Sequence, residues 1–123
     1  MNEDEFAPTM EIVRKPIPIA HLETLTTSLF VDLVKAVVDV GQGIMAIGGE
    51  LHADEEALLI TEGSNQRDLW GINLHPGQYG SPDFIEFDSM INVRPSQGNR
   101  TRGVDDASIR ERIVAIVDGL LTP

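Results

Sequence analysis

Apolar residues along this chain fall into runs with two different periods, punctuated by proline and glycine. Residues 11–15, EIVRK, predict a short strand. Pro16 and Pro18 end it, because proline removes a ladder donor and restricts the residue before it. Pro18 then suits the first turn of a helix over 19–30, IAHLETLTTSLF, in which Ile19, Leu22 and Leu25 share a face. The next run, VDLVKAVVDV (31–40), is rich in β-branched residues and predicts a strand. Gly41-Gln42-Gly43 separates it from a second apolar run, IMAIGGEL (44–51), the pattern of a hairpin. Both strands are apolar on both faces, which puts them in the middle of a sheet.

HADEEALLITEG follows. Asp54 is placed to cap a short helix, with Glu55 and Glu56 in its positive first turn and Gly63 at its end. The alternative is that its LLI segment is strand. DLWGINLHP (68–76) predicts a strand closed by Pro76, and GQYGSPD a loop. DFIEFDSMINV (83–93) alternates. Ile85, Phe87, Ile91 and Val93 fall on one side and Glu86, Asp88, Met90 and Asn92 on the other, with Ser89 interrupting the apolar side. These two strands predict a second hairpin. RPSQGNRTRG (94–103) is then a loop. Asp105 and Asp106 open a last helix whose stripe is Ile109, Ile113, Ile116, Val117 and Leu120.

The order β-α-ββ-α-ββ-α predicts an α+β fold. It is a two-layer domain over 11–123, with a mainly antiparallel sheet of two hairpins and the C-terminal helix packed on one face. A curled, barrel-like sheet is the main alternative.

Composition narrows the function. A chain of 123 residues suits one domain and one core. It has no cysteine, which removes disulfides, thiolate metal sites and a cysteine nucleophile together, and fits a reducing cytoplasm. The start, MNEDEFAPTM, is acidic and lacks the apolar stretch of a signal peptide, so residues 1–10 read as a disordered tail. No run approaches the roughly 18 apolar residues of a membrane span. The net charge of −11 argues against nucleic acid and anionic membrane as partners.

Against that charge, one loop stands out. INVRPSQGNRTRG (91–103) holds Arg94, Arg100 and Arg102 and no acidic residue. With Asn92, Gln97 and Asn99 it offers many donors beside a helix start, a set able to hold a phosphate or carboxylate. Equally, these arginines can pair with the chain's own carboxylates, or with those of a second copy. A second cluster is Glu50, His52 and Asp54, two apart and on one side of an extended segment, near which His75, Glu86 and Asp88 can converge. Carboxylates and imidazoles of this kind bind a divalent metal, although the spacing matches no standard metal motif. A third is the polar side of the sheet, Lys35, Asp39, Asn73, Glu86, Asp88 and Asn92, whose plainer reading is a solvent face. Ser89 lacks the G-x-S-x-G surroundings of a nucleophile. Gly48-Gly49 matches no phosphate loop and marks close backbone packing, and Trp70 alternates with Ile72 and Leu74 as a core residue.

AIGGELHADEEALL, DLWGIN and FIEFDSMINVRPSQGNR together resemble a family of small bacterial and archaeal proteins known only as a domain of unknown function. The resemblance runs from about Val31 to about Leu121. It implies a free-standing single domain and carries over no reaction, cofactor or catalytic residue.

The function these features predict is a small cytoplasmic domain that works by binding and not by catalysis, as a homo-oligomer or with a protein partner, through the arginine loop. The alternative is an enzyme or binder of an anionic small molecule, metal-assisted or not, built on His52, Asp54, Glu86 and Asp88 with the arginines. No other cofactor is expected.

Overall fold

The computed structural model describes residues 10–123, so the acidic tail expected over 1–10 lies outside the described residues except for Met10. The chain forms β1 (Glu11–Val13), β2 (Ile17–Pro18), α1 (Ile19–Leu29), β3 (Val34–Asp39), β4 (Ile44–Ile47), α2 (His52–Thr61), β5 (Leu69–Leu74), β6 (Ile85–Glu86), α3 (Ala107–Leu120) and β7 (Leu121–Thr122). Five strands make one antiparallel sheet in the order β1-β4-β3-β5-β6. The fold class is α+β, as the pattern predicts, and β3 and β4 form the expected hairpin in the middle of the sheet.

Strand alternation divides the sheet's side chains between two cores. Val34, Ala36, Val38, Met45, Ile47, Trp70, Ile72 and Leu74 share one face with Leu22 and Leu25 of α1 and Ile113 and Val117 of α3. Here the C-terminal helix is packed as expected. Val37, Ile44, Ala46 and Leu69 share the other face with Leu59 of α2. The second face is therefore not bare: α2 covers part of it and leaves the rest as a polar recess.

The hairpin turn is held by Asp39, which is 1% exposed. Its Oδ1 accepts from the N–H groups of Gly41 and Gln42, and its Oδ2 from Gln42 Nε2 and Ser64 Oγ. Asp39 is thus a turn residue and not part of a polar sheet face. Gly43, at φ 71°, completes the turn in the left-handed region.

The second hairpin departs from the pattern. β5 forms over 69–74, but its partner strand is only Ile85–Glu86. Ile85 and Phe87 pack on the first core, whereas Ile91 packs on the opposite one and Val93 is 37% exposed. Ser89 is the cause. Its Oγ accepts from Ile91 N–H and starts a 3-10 turn over Met90–Asn92, so the alternation beyond Asp88 is not that of a strand. The helix at 52 also starts earlier than Asp54: Leu51 is the N-cap, without a side-chain cap, and Asp54 lies inside the first turn. Unforeseen from the sequence is a two-residue parallel pairing of β2 with β7, which ties the end of the chain to the segment before α1.

Among the described residues, no helix is long and apolar enough to cross a membrane.

Candidate functional site

The recess beside α2 is built on one row of the sheet. Lys35 on β3 lies opposite Asn73 on β5, and Asn73 lies opposite Glu86 on β6. Residues directly opposite share a face, so the three side chains stand in a line across three strands. His52 and Ala53, at the start of α2, form one wall. Asp88, Ser89 and Arg102 form the other, and Leu33, Leu51, Met90 and Ile91 supply apolar rim. The cleft so enclosed has a volume of about 470 Å³.

Asn73 is nearly buried and organises the floor. Its Nδ2 donates to Glu86 Oε1 at 3.0 Å and to the Asp88 carbonyl at 3.3 Å. Glu86 also receives His75 Nε2 at 3.2 Å. These two bonds, Asn73 first, hold the Glu86 carboxyl below the usual carboxylate range. Arg102 Nε donates to Asp88 Oδ1 at 2.6 Å, so the arginine loop does contribute a cation to the cleft wall, already paired. Lys35 makes no ion pair among the described residues.

His52 Nε2 donates to the Ile72 carbonyl at 2.8 Å, which leaves Nδ1 as the acceptor. Burial lowers its pKa below the ordinary histidine value, so the ring is neutral near pH 7. A neutral His52 adds no charge. The cleft side chains Lys35, Arg102, Glu86 and Asp88 then balance, two of each sign, in a chain of net charge −11.

The two sequence clusters therefore meet in part. His52, Glu86 and Asp88 line one cleft. Glu50 instead lines a neighbouring groove with Gly48 and Gly49, Asp54 is exposed on α2, and His75 bonds Glu86 from outside the cleft. Among the described residues, no three histidine, aspartate or glutamate side chains come together in a way that could hold a metal ion.

Most of the arginine loop is occupied within the chain. Arg94 donates to the carbonyls of Gln66 and Leu69, at 2.8 and 2.6 Å, and lies over the Trp70 ring at 4.1 Å. Burial pulls its pKa down from the ordinary arginine value. Gln97 donates to the Arg67 carbonyl. Asn99 Nδ2 reaches the carbonyls of Asn92, Thr101 and Gly103, and its Oδ1 accepts from Asp105 N–H. Asn92, fully buried, bonds the backbone of Gly71. Arg100 is exposed, and among the described residues only its backbone N–H is engaged, by Asp105.

One buried group escaped sequence reasoning. Glu55 reads there as a residue serving the helix dipole, yet it is completely buried. Its Oε2 accepts from Gly49 N–H at 2.9 Å, and Oε1 has no partner among the described residues. Burial pushes its carboxyl up to about 9, so it is protonated at neutral pH. The signal was its position four residues before Leu59, the buried apolar residue of the same helix face. Gly49 allows the approach: a Cβ there would stand 2.8 Å from Glu55 Cγ.

The family model described as protein of unknown function (DUF5674) matches residues 11–120. No curated protein and no solved structure matches the chain.

Proposed function

We propose, for a chain that belongs to this family of unknown function, that the domain works by binding a small molecule with one anionic group in the cleft beside α2. The observation that carries this reading is Lys35. It is a half-buried lysine on the floor of a concave site, beside a nearly buried asparagine, and it makes no ion pair among the described residues. Structural lysines in such places are ordinarily paired, and a few convergent polar groups on an apolar-rimmed cleft are the usual form of a ligand site. The uncapped first turn of α2 supports an anion at the same wall. Locally balanced charge favours a singly charged ligand over a polyanion.

A thermal-shift panel of small carboxylates and phosphates tests the reading. Native-state binding raises the Tm, and Lys35→Met removes the rise. A panel that leaves the wild-type Tm unmoved, or shifts the variant equally, overturns it.

A second reading keeps the loop's outer side as a contact for a second copy or a protein partner. Arg100 supports it, exposed with no side-chain partner among the described residues, next to exposed Val93. Arg100→Glu with the mass measured in solution tests that reading, which predicts a smaller assembly for the variant. A wild-type chain that is monomeric and recovers no partner from lysate contradicts it.

A further inference from the structure

The cleft floor holds a second unsatisfied feature besides Lys35. Asn73 is 7% exposed, and its Oδ1 is buried with no hydrogen-bond partner among the described residues. The amide cannot be turned to relieve this. Its Nδ2 faces two acceptors, Glu86 Oε1 and the Asp88 carbonyl, and exchanging the ends would set oxygen against oxygen at both. A buried acceptor of this kind calls for a donor. Glu86 beside it is exposed to the cleft, hydrogen-bonded to Asn73 and His75, and meets no lysine or arginine within ion-pair distance among the described residues. Lys35 and Glu86 thus flank Asn73 with opposite charges and do not pair with each other. Their backbones are two strand spacings apart, roughly 10 Å.

That arrangement is complementary to a small molecule carrying an ammonium and a carboxylate separated by one carbon. We infer that the ligand is a free α-amino acid with an apolar side chain. Its ammonium sits between Asn73 Oδ1 and Glu86, its carboxylate faces Lys35, and its side chain lies against Leu33, Leu51 and Met90. This inference rests on the cleft being the ligand site. Asn73 lines the cleft while its Oδ1 is itself buried, so an N–H donor reaches it only if the side chains over it move. Glu86 selects a cationic donor over a neutral amide, because a charge-assisted hydrogen bond is the stronger one. Leu51 and Met90, 57% and 66% exposed, give the side chain an apolar wall that is otherwise open to water.

The test titrates the purified full chain by calorimetry with leucine, isocaproate (leucine without its amine) and isoamylamine (leucine without its carboxylate). Leucine binds at least tenfold more tightly than either analogue, and Glu86→Gln and Lys35→Met each weaken it at least tenfold. Equal binding of leucine and isocaproate, with Lys35 required, overturns the amino-acid inference and leaves the acid-binding cleft standing. Binding of leucine that neither variant weakens places it elsewhere and overturns the inference. No binding of any of the three at millimolar concentration overturns the inference, while the wider panel of acids decides the cleft reading separately.

Discussion

The side chain of Asn92 takes the place of a strand beside Gly71. Its Oδ1 accepts the Gly71 N–H at 2.8 Å and its Nδ2 donates to the Gly71 carbonyl at 2.9 Å, the two bonds that a neighbouring backbone residue would make. Nδ2 also donates to the Arg102 carbonyl, which draws the arginine loop against the sheet. This amide ends the sheet where β6 stops, and it allows Asp88, Ser89 and Arg102 to turn over the cleft. Asn92→Ala leaves the buried N–H and carbonyl of Gly71 without partners, while the Arg102 carbonyl keeps the Ser89 N–H. It is expected to cost roughly 2–4 kcal/mol in urea unfolding. A loss below about 0.5 kcal/mol would show that the loop holds itself without this residue.

Gly71 is required by the same packing. A Cβ at Gly71 would stand 2.6 Å from both Cβ and Oγ of Ser89. Gly71→Ala is expected to destabilise the fold by about 1–3 kcal/mol. Ser89→Gly, although costly alone, recovers part of that loss in the double variant. Strictly additive effects would contradict the contact.

Glu55 makes stability depend on pH with a definite sign. Its carboxyl is raised to about 9 in the fold from an unfolded value near 4.5. A raised folded value means a contribution fully present below about pH 4.5 and lost as the pH climbs toward 9. Between pH 4.5 and 7 that loss amounts to roughly 3 kcal/mol. Glu55→Gln keeps an acceptor for Gly49 N–H and has no proton to lose, so it is expected to be the more stable form at pH 8 and to show a flatter profile. Denaturation at pH 5 and pH 8 checks this, and parallel profiles for the two proteins would contradict it.

Arg94 is held by two carbonyls and an indole face, a geometry that suits a planar fork and not an ammonium. Arg94→Lys is expected to cost about 1–2 kcal/mol and to alter Trp70 fluorescence. An unchanged emission spectrum and midpoint would remove Arg94 from the account of the loop.

The α+β class, the central hairpin and the C-terminal helix were legible because their apolar residues carry the periods of buried strands and of a one-sided helix. Residues 83–93 were not, although their alternation is the clearest in the chain. The side-chain hydrogen bonds of two residues decide them: Ser89 turns the backbone and Asn92 replaces it, and neither leaves a trace in hydrophobic periodicity. The arginine loop was legible as an anomaly but not in its partners, which for Arg94 are carbonyl oxygens far away in sequence. His52, Glu86 and Asp88 come together, whereas Asp54 does not, because the helix begins at His52 and turns it onto another face, and Glu50, ahead of the helix, lines the neighbouring groove. Lys35 was visible as a polar position in an apolar strand. That it stands unpaired in a cleft depends on how far α2 extends over the sheet.

The central claim is that the cleft beside α2 receives a small acid through Lys35. Its most direct test is a nitrogen–proton NMR titration of the wild-type chain with the tightest-binding acid from the panel. The account predicts saturable shifts centred on Lys35, His52, Ala53, Asn73, Glu86 and Ser89, absent in Lys35→Met. Saturable shifts centred on Arg100 and the outer loop, or shifts that persist unchanged in the variant, would contradict it.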